Sequence, residues 1–210
     1  MWARAFFDDA TKARTAEVVK AIEAGTSAEV VVTVRGTAGY YRHADYLVGF
    51  LLAMATLIAM LYVEMEFPLE AFPVDVALSF GVGTYLSASV PFLRRLFVSR
   101  RFQQEAVQMA ARATYVDLGV TQTARRTGIL VFVSLFERRV ELLADVGIDI
   151  AALNPEWEEA RGKLAAALAT SESPEPFLEA LKLLGAPLAR VLPRAAEDVN
   201  ELPDAPHHVT

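Results

Sequence analysis

Two runs of eighteen residues without a charged side chain constrain this chain more than any other feature. Tyr46 to Val63 reads YLVGFLLAMATLIAMLYV, and Val76 to Leu93 reads VALSFGVGTYLSASVPFL. At about 1.5 Å per residue each run makes a helix ~27 Å long, close to the thickness of a bilayer's hydrocarbon layer. The second run is less apolar because Ser79, Gly83 and Ser87 recur at every fourth position. That spacing lines one helix face with small side chains, and Gly49 and Ala53 supply a matching face on the first helix. The expectation is a closely packed hairpin of two transmembrane helices.

The flanking charges favour a membrane over a water-soluble core. The connecting segment EMEFPLEAFPVD carries Glu64, Glu66, Glu70 and Asp75 and no base. Arg35 and Arg42 precede the hairpin, and Arg94, Arg95, Arg100 and Arg101 follow it. This is the positive-inside pattern. It predicts an integral protein of the bacterial cytoplasmic membrane, with both termini and the bulk of the chain in the cytoplasm and the acidic connection outside. The hydrophobic fraction of 54% and mean hydropathy of +0.31 agree, since soluble domains run at roughly 45–50%. A net charge of −6 offers no electrostatic footprint for nucleic acid. The absence of cysteine excludes disulfides and thiolate metal sites. The N-terminal stretch MWARAFFDDATKARTAEVV lacks the unbroken apolar core of a cleaved signal peptide and reads as part of the fold.

With the hairpin set aside, the remainder follows an α/β pattern. A first helix is capped by Asp8 or Asp9, offers Ala13, Ala16, Val19, Ala21 and Ile22 as its apolar side, and stops at Gly25. EVVVTV, from Glu29 to Val34, is β-branched almost throughout and predicts a strand covered on both faces. After the hairpin, a helix from about Ser99 to Leu118 presents Phe102, Ala106, Met109, Ala113 and Val116 at core spacing. Ile129 to Phe136 is a central strand, and Val140 to Ala144 returns after a turn at Glu137, Arg138 and Arg139. A strand, helix, strand crossover obliges its two strands to be parallel. The partner of VVVTV is therefore ILVFVSLF, a hundred residues on, and the hairpin is an insertion in that crossover. Further helices start at Asn154–Pro155 and Ser173–Pro174, with Pro187 bending or splitting the last one. The expected organisation is residues 1–43 and 97–199 as two parts of one α/β domain, 44–96 as the hairpin, and 200–210 as a polar, extended tail.

The segments TSAEVVVTV and RTGILVFVSLFERRVELLADVGI, with Trp157 of NPEW and the late NELPD, resemble the TPM domain family. The resemblance covers nearly all the chain outside the hairpin. It implies a small α/β/α sandwich with a mixed sheet, here divided by the membrane hairpin, whereas familiar members carry the domain intact. Members of that family have been linked to acid phosphatase activity, divalent-cation binding and accessory roles in membrane complexes.

Candidate sites lie at the two ends of the sheet. Strand one leads into the first spanning helix, so its end and the parallel strand's end face the bilayer. Arg35, Arg42, Arg100, Arg101, Arg138 and Arg139 then form a basic collar for anionic headgroups, worth about 1 kcal/mol each near the surface; the alternative is a solvated turn in which Glu137 pairs an arginine. At the opposite edge Glu29 and Asp145 are candidate ligands for a divalent cation such as Ca²⁺. Arg125 and Arg126 share that edge and offer a structural salt bridge instead. Ser134 lacks a Gly-x-Ser-x-Gly elbow and reads as a core serine. His43, His207 and His208 lack the spacing of a zinc pair. No residue is assigned a catalytic role and no further cofactor is indicated. The leading expectation is a membrane-tethered interaction or accessory module whose partner, beyond the lipid bilayer, is another protein or a second copy of the chain. The alternative, carried by the resemblance alone, is a divalent-cation-dependent phosphatase.

Overall fold

β-branched runs with few polar interruptions build the centre of the molecule. The computed structural model describes residues 5–63, 68–171, 173–195, 197 and 200–209; Glu64 and Glu66 of the acidic connection, and 198, 199 and 210 of the tail, lie outside the described residues. Among these, β1 (Glu29–Arg35), β2 (Gly128–Ser134), β3 (Arg139–Ala144) and β4 (His207–Val209) form one mixed sheet in the order β3-β2-β1-β4. β1 and β2 pair in parallel with Val31 opposite Leu130, and β3 runs antiparallel to β2. The two parallel strands are thus adjacent although 92 residues separate Arg35 from Gly128.

Helices among the described residues include α1 (Asp9–Glu23), α2 (Arg42–Tyr62), α3 (Ala71–Ser89), α4 (Pro91–Leu96), α5 (Arg100–Asp117), α6 (Ile150–Leu153), α7 (Glu156–Thr170), α8 (Glu175–Lys182) and α9 (Gly185–Val191). The chain divides into two compact units: Met1–Ala38 with Gln104–Thr210, and Gly39–Gln103. The first is the α/β sandwich. Val30, Val32, Val34, Ile129, Val131 and Val133 face a core shared with α1, α7, α8 and α9. Val31, Leu130 and Phe132 face the other way, onto Val107, Ala110 and Ala111 of α5. Alternate residues of a strand point to opposite faces, so a sheet buried on both sides requires the continuous apolar runs found in β1 and β2.

Several local expectations are corrected by packing. The buried side of α1 is Thr11, Thr15, Val18, Val19 and Ile22. Ala13 and Ala21 are exposed and Ala16 half-buried. Threonine is tolerated inside because the Thr15 hydroxyl donates to the Thr11 carbonyl at 2.8 Å within the helix. On α5 the core takes Val107, Ala110 and Ala111, leaving Met109 74% and Val116 63% exposed. The tail beyond residue 199 is not free: His207–Val209 pairs in parallel with Thr33–Arg35 as an edge strand, and the Leu202 amide donates to Glu29 at 3.3 Å. Pro187 splits its helix, with α8 ending at Lys182 and α9 starting at Gly185. The unit boundaries fall at 38 and 103 rather than 43 and 96. Tyr41, His43 and Phe102 pack edge-to-face within the hairpin unit, where the Gln103 amide also donates to the Val98 carbonyl.

Candidate functional site

In the hairpin unit, α2 and α3 run antiparallel over small residues. The inward side of α2 includes Ala44, Asp45, Gly49 and Ala53, and that of α3 includes Gly83 and Ser87. A Cβ added at Gly83 would lie 2.9 Å from the Gly49 Cα, and one at Gly49 would lie 2.7 Å from the Phe80 carbonyl and closer still to the Thr84 hydroxyl. Any larger side chain at this crossing pushes the helices apart. Thr56 donates to Ser79 at 2.8 Å further along. At the hairpin's open end, Asp45 accepts from Ser87 Oγ at 2.8 Å and from Arg94 Nε and Nη2 at 2.9 and 2.8 Å. The Asp45 side chain is 5% exposed, so this two-pronged ion pair locks the helix ends in a fixed geometry.

The outward side of the hairpin is apolar. Leu61 is 62% exposed, Leu78 64% and Tyr85 71%. Both helices are long and apolar enough to cross a membrane, with hydropathy of 2.0 for Arg42–Tyr62 and 1.2 for Ala71–Ser89. Arg42, Arg100 and Arg101 belong to this unit, at the first residues of α2 and α5.

The other three collar residues share one end of the sheet. Register sets Arg35 opposite Ser134, and Ser134 opposite Arg139. Arg138 holds the turn between β2 and β3 with φ of 51° and donates to the Ala169 carbonyl at 3.1 Å. The turn residue Glu137 is not solvated. It is buried, and its carboxyl group accepts from the Ser134 hydroxyl, from the Ala38 amide at 3.0 Å and from the Thr37 hydroxyl at 3.3 Å. Ser134 is wholly buried and serves this contact. Glu137 therefore clamps the segment by which the chain leaves β1 for the hairpin.

At the opposite end, Glu29 and Asp145 stand on the flanks of β2. Glu29 pairs with Gly128, whose carbonyl accepts from the Asp145 amide at 2.9 Å. With a strand between them, their backbones are about 10 Å apart. Asp145 is occupied by Arg126, which donates through Nε at 2.6 Å and Nη2 at 2.9 Å, and by the Val146 amide at 2.8 Å. The Arg126 guanidinium holds the Asp145 carboxyl below its usual range, while burial and then Asp145 push the Tyr115 hydroxyl up to about 12. This is the salt bridge, with Arg126 rather than Arg125 as its base. Glu29 instead faces a polar recess of about 220 Å³ with Lys20, Glu23, Arg194 and Asn200. Glu23 accepts from the Val30 amide at 2.8 Å. Burial, and after it the nearby Glu29 and Asp204, raise its pKa to about 8. Among the described residues no group of three or more His, Cys, Asp or Glu is disposed to hold a metal ion.

Sequence reasoning passed over the Asp45–Arg94 lock, the Glu137 clamp and Glu23. The lock had a usable signal: Asp45 and Arg94 each stand one residue outside an uncharged run, at ends that a hairpin brings together. The clamp had little, because its partners include a backbone amide.

No family model matches the sequence, and no curated protein matches it. Among solved structures, the chain is similar to the NMR structure of BA42 protein from the psychrophilic bacterium Bizionia argentinensis sp. nov.. The two are 13% identical with a TM-score of 0.58, over 96% of this chain and 94% of that one. At that identity the likeness shows a shared α/β fold.

Proposed function

We propose that this chain is a membrane-anchored protein of the TPM-domain kind, whose α/β unit serves as an interaction or accessory module for a membrane complex on the cytoplasmic side. The observation that carries the reading is the outward apolar surface of α2 and α3. Exposed contiguous patches on soluble monomers rarely exceed a few hundred Å², whereas this hairpin turns aromatic and aliphatic side chains outward along both helices. Lipid removes that penalty. The inward side, built of glycine, alanine and hydroxyl side chains, matches the way helices associate where no hydrophobic force drives them together.

Charge supports the orientation. Arg42, Arg94 and Arg95 stand at the open end of the hairpin, and Glu70 and Asp75 at its connection. A cytoplasmic α/β unit then meets anionic headgroups through Arg35, Arg138 and Arg139, with Arg42, Arg100 and Arg101 beside the spans. Crosslinking in native membranes followed by extraction in mild detergent is expected to retrieve a reproducible protein partner. Recovery of the chain with nothing attached would overturn the module reading. A single thiol introduced by Leu69→Cys is expected to react with an impermeant maleimide from outside intact cells. Reaction only after permeabilisation would reverse the orientation.

A further inference from the structure

α5 carries two apolar stripes and buries only one. Val107, Ala110 and Ala111 face the sheet, while Ala106, Met109, Ala113 and Val116 lie on the other side, with Met109 74% and Val116 63% exposed. Their spacing of three and four is that of alternating a and d positions in a heptad, with alanine at a and the larger side chain at d. In this frame Arg112 is a g position and Asp117 the e position five residues later. Both are exposed, and neither side chain has a hydrogen bond or ion pair among the described residues. Phe102 continues the spacing, but its ring is packed on Tyr41 and His43, so the free seam runs from 106 to 116.

We propose that this seam docks a second copy of the same chain, the two α5 helices lying parallel about a two-fold axis. Parallel pairing sets each Arg112 against the Asp117 of the other copy, which is the g-to-e pairing that fixes partner and direction in coiled coils. Antiparallel pairing would instead set Arg112 against Glu105, and Glu105 is already engaged within its own chain. Alanine at the a positions allows close approach of the helix axes. Two heptads are short for independent association, but confinement to one bilayer raises the effective concentration of each copy for the other. The inference rests on the membrane-anchored reading and names the partner that reading leaves open.

The chain has no cysteine, so a single introduced thiol reports on its own position. Full-length Met109→Cys, Val116→Cys and Gln104→Cys are to be oxidised in native membranes; Gln104 is exposed on α5 but off the seam. Disulfide-linked dimers are expected from positions 109 and 116 and none from 104. In the Val116→Cys background, Arg112→Asp is expected to abolish the dimer and addition of Asp117→Arg to restore it. No dimer at 109 and 116 beyond that at 104 would overturn the proposal, as would a dimer at 109 alone, which marks antiparallel pairing. An adduct with a different protein, or a thiol at 109 shielded from water-soluble maleimide without any dimer, would assign the seam to another partner or to lipid. Carbonate extraction separates the two readings: a chain that stays in the membrane but does not crosslink refutes the docking alone, and a chain that washes off yet crosslinks refutes the anchoring alone.

Discussion

Replacing Glu137 with alanine should weaken the α/β unit by about 3 kcal/mol. The change leaves the wholly buried Ser134 hydroxyl and the Ala38 amide without their acceptor. A buried donor left unsatisfied costs about 1–3 kcal/mol, and a half-exposed one recovers most of its loss from water. Adding the packing lost with the side chain brings the sum to ~3 kcal/mol. With a urea dependence of about 2 kcal/mol per molar, the unfolding midpoint falls by roughly 1.5 M. Trp157, 5% exposed in the core of this unit, supplies the fluorescence signal, read on the full chain in mild detergent. Ser134→Ala alone should cost about 1 kcal/mol, and the double variant no more than Glu137→Ala, since the two side chains share one interaction. A midpoint shift below about 0.3 M, or additive costs in the double variant, would refute the clamp.

Gly49→Leu should separate α2 from α3, because even a Cβ there meets the Phe80 carbonyl at 2.7 Å. The disulfide expected to form readily in Thr56→Cys/Ser79→Cys, whose native hydroxyls are 2.8 Å apart, should then fail to form; its persistence would contradict the crossing. Asp45→Ala should disorder the hairpin's open end, whereas Asp45→Asn retains the Ser87 bond and should do less, as read by proteolysis near Arg94 in intact micelles. Glu23 binds its proton more tightly in the folded chain, at about 8 against an ordinary value of 4.5. Its contribution is therefore fully present below pH 4.5 and is lost as pH rises through 8. Glu23→Gln should flatten the decline of stability over that window, and an unchanged slope would rule out Glu23 as its source.

The strands and the hairpin were legible because each rests on a pattern that few alternatives share. A β-branched run such as Val30–Val34 has no good helical reading, and small residues at every fourth position have an obvious partner in Gly49 and Ala53. Helix faces were less legible. Met109 and Val116 are apolar side chains of α5 at helical spacing, yet the sheet face bearing Leu130 and Phe132 takes Val107, Ala110 and Ala111 instead, the two alanines letting the helix approach closely. On α1 the hydroxyls of Thr11 and Thr15 hid a buried face. The strand His207–Val209 has no β-rich signature at all; it exists because β1 has a free edge beside it. For the candidate sites, the Asp145 salt bridge followed from local charge. Glu23 accepts from a backbone amide, and Glu137 from one beside two hydroxyls; an amide partner leaves no trace in residue type.

The measurement that bears most directly on the insertion of an apolar helical hairpin between two adjacent strands is amide exchange in a chain whose residues 39–103 are replaced by a short Gly/Ser linker. If the hairpin is an insertion into an otherwise complete domain, this chain dissolves without detergent and the amides of β1 and β2 exchange slowly together. Aggregation, or free exchange throughout both strands, would contradict it.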